Sequence, residues 1–109
     1  AGKLNALALT TAKRSDLAPG IPTLAEGGIA GVDVPSGQGL LVPAGTPREI
    51  VQRINSIVNQ ALNTDDVKNK FKARGFEPAP SSPEAFAAFM DAEMKKYSDL
   101  IKRLDIKIR

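Results

Sequence analysis

A chain of 109 residues, 42% apolar and 25% charged, has the make-up of one ordinary globular domain and not of a disordered segment. It holds no Cys and no His, which excludes disulfides, thiolate nucleophiles, iron–sulfur clusters, zinc knuckles and any histidine-based triad or metal site. Fifteen Lys and Arg against twelve Asp and Glu leave a net charge of +3, short of the concentrated basic face of a nucleic-acid module.

Composition splits the chain. Residues 1–46 hold eight of the nine glycines and Pro19, Pro22, Pro35 and Pro43, and read as short strands and turns. Residues 47–109 hold a single glycine and most of the helix formers. The expected fold class is α/β, with about three short strands, three to four helices and a helix-rich part after residue 46. The two parts are expected to form one compact unit.

Leu4 to Thr10 alternates with apolar residues on both faces, the pattern of a strand covered on both sides. Lys13 to Gly20 is a polar loop ending in Pro-Gly. Thr23-Leu24-Ala25-Glu26 matches a capping box, in which the Thr hydroxyl accepts from the backbone N–H three residues on and the Glu reaches back. Gly27-Gly28 should stop that helix within one or two turns. Val32–Val34 and Gly39–Val42 read as short extended pieces, the second bounded by Pro43.

Thr46-Pro47-Arg48-Glu49 is a second capping box, with Pro at the first helical position. Ile50, Val51, Ile54, Ile57, Val58, Ala61 and Leu62 follow at spacings of three and four, the signature of an amphipathic helix. Asn63-Thr64-Asp65 breaks it. Thr64 or Asp65 can cap a short helix carrying Val67 and Phe71, with Gly75 at its C′ position. Prolines extend Phe76–Pro80. Ser82-Pro83-Glu84 opens the longest helix, which runs to about Leu104. Ile106 and Ile108 alternate with Lys107 and Arg109, as in a terminal strand or a frayed tail.

No chemical motif outweighs its plain structural reading. Gly37-Gln38-Gly39 lacks the third glycine and the following helix of a dinucleotide loop, and no Gly-Lys-Ser or Gly-Lys-Thr is present. Asp65-Asp66 at a helix start is a cap plus a dipole partner, not a metal pair. Lys95, Lys96, Lys102, Arg103, Lys107 and Arg109 are diluted by Asp91, Glu93, Asp99 and Asp105, which argues against a nucleic-acid face. The longest apolar stretches, Gly39–Val42 and Ala85–Met90, are far shorter than the roughly 18 residues a membrane helix needs. The chain begins Ala1-Gly2-Lys3-Leu4 with no signal peptide and no initiator Met, so residues are expected upstream. The two Thr-x-x-Glu helix starts are anion-friendly N-termini, although capping alone explains both.

A set of motifs in fixed order carries a family resemblance. It comprises Gly2-Lys3-Leu4-x-Ala6-Leu7-Ala8, Lys13-Arg14-Ser15, Ile21-Pro22-Thr23-Leu24-Ala25-Glu26-x-Gly28 and Gly39-Leu40-Leu41-Val42-Pro43-Ala44-Gly45-Thr46-Pro47. After these come Leu62-x-x-x-x-Val67, Gly75-Phe76-Glu77-Pro78 and Ser82-Pro83-Glu84-x-Phe86. Together they resemble the C-terminal third of the Bug family, the TctC-type receptors of tripartite tricarboxylate transporters.

The resemblance implies a two-lobed, periplasmic-binding-protein-like clamp that closes by a hinge on small di- or tricarboxylates or acidic amino acids. It implies a periplasmic location, two membrane permease subunits as partners, and no enzymatic activity, metal or cofactor. Residues 1–46 would come from the second lobe and the inter-lobe crossing, and residues 47–109 would pack on the first lobe. Where the family commonly carries Ser-Trp-aromatic-Gly at the crossing, this chain has Ser36-Gly37-Gln38-Gly39. The residues expected nearest any ligand are Thr23, through a helix N-terminus, and Ser36, Gly37 and Gln38, through backbone and amide groups.

The family's main carboxylate loops lie upstream of the matching region. The chain alone is therefore expected not to bind solute usefully. It is expected to self-associate or exchange elements between copies when isolated. The competing reading is a stand-alone, self-associating interaction module derived from this fold and without solute binding.

Overall fold

The computed structural model describes residues 2–107. They form two compact units, Ala1–Leu41 and Val42–Arg109.

In the first unit the segment around Leu9 is the organising element. Leu9 N–H donates to Pro22 O at 2.8 Å, and Leu24 N–H donates to Leu9 O at 2.9 Å, closing a parallel bridge between Leu9 and Thr23. On the same segment Val34 N–H donates to Thr10 O at 2.9 Å, and Ala12 N–H donates to the Asp33 Oδ1 at 3.1 Å.

No strand forms among the described residues, so the three expected strands are corrected to this one bridge. A strand exists only as part of a ladder. Leu4–Thr10 finds partners only at its end, where Leu9 and Thr10 bond, while Leu4 is 94% and Leu7 83% exposed. Gly39–Val42 is irregular, with Leu40, Leu41 and Val42 exposed. The alternation in Leu4–Thr10 is real, but Leu4 and Leu7 face solvent.

The second unit is helical: α1 spans Arg48–Leu62, α2 spans Asp65–Lys72 and α3 spans Pro83–Arg103. The start of α1 departs from the expected capping box. Thr46 donates its hydroxyl to Pro43 O at 2.8 Å, within a Pro43–Thr46 turn whose Gly45 has φ +84°. Pro47, one residue later, is the N-cap, its carbonyl accepting from Ile50 and Val51. This turn points the Thr46 side chain back towards Pro43, and the helix frame shifts by one to open at Pro47. Thr64 occupies the N-cap of α2, yet its hydroxyl likewise turns back, to Ala61 O at 2.7 Å. Asp65 and Asp66 lie in the first turn, and Asp66 pairs with Lys70 at 2.7 Å.

Ser82 caps α3 as expected, accepting from Ala85 N–H at 3.1 Å, with Pro83 next in the helix. Gly75 takes the C′ position after α2 at φ +77°. Phe76 N–H donates back to Phe71 O, and the two rings meet edge to face at 6.4 Å, the hydrophobic contact of a Schellman motif. α3 ends in the same hydrogen bonds, with Ile106 N–H reaching Ile101 O and Asp105 at φ +48°. Ile106 is thus part of a helix cap and not of a terminal strand; Ile108 lies outside the described residues.

α1 is tied to the approach of α3 by amides. Asn55 and Asn59 both donate to Ser81 O, at 2.8 and 2.9 Å, and Asn59 also donates to the Asn55 side-chain oxygen at 3.2 Å. Arg48 pairs with Glu84 at 3.1 Å, with both side chains well exposed. No apolar residue is fully buried among the described residues. The accessible surface is 9219 Å². Compact folding of this mass would leave about 5,800 Å² as one unit, or about 7,000 Å² as two.

Candidate functional site

Thr23 is the one residue among those described that is fully buried, at 2% exposure. Its burial follows from the bridge to Leu9 and from the hydrogen-bonded turn it opens. The Thr23 hydroxyl accepts from Glu26 N–H at 3.2 Å, and Thr23 O accepts from Gly27 N–H at 3.2 Å. Ile29 N–H returns to Leu24 O at 2.9 Å, and Gly28, at φ +88°, ends the turn. The helix expected here is corrected to this hydrogen-bonded turn, so Thr23 stands at no helix N-terminus: the capping box starts the turn, and the glycines, one of which adopts positive φ without strain, stop it before a helix forms.

Glu26 carries the second half of the box. It also meets Arg14, whose Nε lies 3.0 and 2.9 Å from the two carboxylate oxygens, with Nη2 closing the fork. Arg14 Nη1 donates to Pro19 O at 2.9 Å, so the guanidinium spans the loop it belongs to. The Arg14 hydrogen bonds hold the Glu26 carboxyl below its ordinary value, helped by charge attraction and a backbone hydrogen bond from Thr23 against some desolvation. Glu26 in turn raises Arg14.

Among the four residues expected near a ligand, Thr23 is therefore buried with its hydroxyl engaged inside the chain. The fork of Arg14, the geometry best matched to a carboxylate, is taken by Glu26. Ser36, Gly37 and Gln38 are exposed in an irregular stretch, and no hydrogen bond joins them to another described residue. The structure brings Thr23, Glu26 and Arg14 together; it does not link Ser36–Gln38 to them. The sequence shows Arg14 and Glu26 only as parts of separate motifs, twelve residues apart.

The arrangement offers hydrogen-bond donors and a neutralised ion pair. Among the described residues no group of three or more acidic side chains could hold a metal ion, and no helix is long and apolar enough to cross a membrane.

Comparison with known proteins extends over nearly the whole chain. The family model described as tripartite tricarboxylate transporter family receptor matches residues 1–106. The UPF0065 protein in the tcbD-tcbE intergenic region of Pseudomonas sp. strain P51 is 34% identical over 102 residues, 93% of this chain and 30% of that protein. Protein BugT of Bordetella pertussis is 28% identical over 108 residues, 99% of this chain and 33% of its own length. The UPF0065 protein in the clcB-clcD intergenic region of Pseudomonas knackmussii is 30% identical, with 92% of this chain and 60% of that protein covered. The chain thus spans about a third of the length of the first two relatives.

Proposed function

The chain belongs to the tripartite tricarboxylate transporter receptor family, and from that premise we propose that it is the C-terminal portion of an extracytoplasmic solute-binding receptor. The observation that carries this reading is the unbroken family match over residues 1–106, set against relatives about three times as long. The receptor binds small carboxylates, di- or tricarboxylates or acidic amino acids, and delivers them to membrane permease subunits from the periplasm. It performs no catalysis.

On this reading residues 1–46 belong to the second lobe and the crossing, and residues 47–109 cover the first lobe. The Ser36 hydroxyl, the Gly37 backbone N–H and the Gln38 amide are exposed donors suited to a carboxylate, and Thr23 fixes a turn upstream of them. The surplus accessible surface and the exposed Leu4, Leu7, Leu40 and Leu41 are what elements separated from their covering partners would show.

With Arg14 committed to Glu26, this chain alone has no charged fork free for a solute carboxylate at Thr23, and it is expected not to bind. Isothermal titration against a panel of dicarboxylates, tricarboxylates and acidic amino acids tests both halves of the proposal. The chain alone should show no micromolar binding. The same residues grafted in place of the matching segment of BugT should give a receptor that binds a member of the panel. Micromolar binding by the chain alone would overturn the first half; a folded graft that binds none would overturn the second.

A further inference from the structure

We draw no further inference here: the strongest candidate, the open apolar groove along α3 lined by Met90, Met94, Tyr97 and Ile101, is an unpartnered helix face, and nothing in the structure shows what covers it.

Discussion

Arg14 grips both carboxylate oxygens of Glu26 with its Nε, 3.0 and 2.9 Å away, across twelve residues of chain. The pair closes the Lys13–Gly20 loop against the turn that Thr23 opens, so a charged contact fixes a segment with little apolar burial. It makes that segment sensitive to acid. Glu26 titrates below its ordinary value, chiefly because of the Arg14 hydrogen bonds. Its contribution is therefore fully present above the ordinary carboxylate pKa and is lost as pH falls through its lowered value. Arg14, already charged across this range, adds no pH dependence of its own. A carboxyl-resolved NMR titration should place Glu26 below the ordinary glutamate value, and Arg14→Ala should move it up towards that value. An unshifted Glu26 in the unaltered chain would contradict the fork.

Thr23 is the internal anchor of the same segment. Thr23→Val keeps the shape of the buried side chain but leaves Glu26 N–H without its acceptor. The loss expected for one such hydrogen bond is about 1 kcal/mol. Hydrogen exchange at the Glu26 and Ile29 amides should accelerate by several-fold, and Thr23→Ser, which restores the acceptor, should recover most of the protection. Equal acceleration in both variants would point to lost packing and not to the cap.

The features legible in the sequence are those set by neighbours along the chain. Ser82-Pro83 starts α3 and Gly75 stops α2 because capping and positive φ are decided within a few residues. The strands were not legible as strands, because alternation states which faces are apolar and not whether a second backbone is there to pair with. Thr46 shows a local failure: its side chain turns back to donate to the Pro43 carbonyl, and the helix opens one residue later, at Pro47. Arg14 with Glu26, and Asn55 with Ser81, pair residues twelve and twenty-six apart, a separation that no periodicity reports. At the candidate site, the capping box at Thr23 and Glu26 was readable, while the occupation of Glu26 by Arg14 was not.

Two helices end in the same hydrogen-bond pattern with different residues at C′. Gly75 holds φ +77° and Asp105 φ +48°. Positive φ costs a residue bearing a Cβ roughly 1 kcal/mol relative to glycine, and an acid at a helix C-terminus also opposes the macrodipole. The Asp105 contact to Lys107, at 3.9 Å between exposed side chains, offsets little of this. Asp105→Gly should therefore stabilise α3 by about 0.5–1 kcal/mol, and Gly75→Ala should destabilise α2 by a similar amount. No atom lies within 4 Å of a Cβ built at Gly75, so that cost is conformational and not steric. Far-UV circular dichroism on heating should show opposite shifts for the two variants.

The Ser81 carbonyl receives two side-chain amides, from Asn55 at 2.8 Å and Asn59 at 2.9 Å. They sit four residues apart on α1, one turn above the other, so each can serve the same acceptor. Ser81 precedes the α3 cap by one residue, and this double bond fixes where α3 begins relative to α1. Removing one amide leaves the carbonyl satisfied by the other. Asn55→Ala and Asn59→Ala should each cost about 0.5 kcal/mol, and the double variant about 2 kcal/mol, because only then is a partly buried carbonyl left without a protein donor. The excess over additivity, about 1 kcal/mol, is the signature of a shared acceptor. A double-variant cycle on denaturant unfolding of the helical unit measures it. Strictly additive losses would mean that the two amides act independently and that Ser81 is not their common partner in solution.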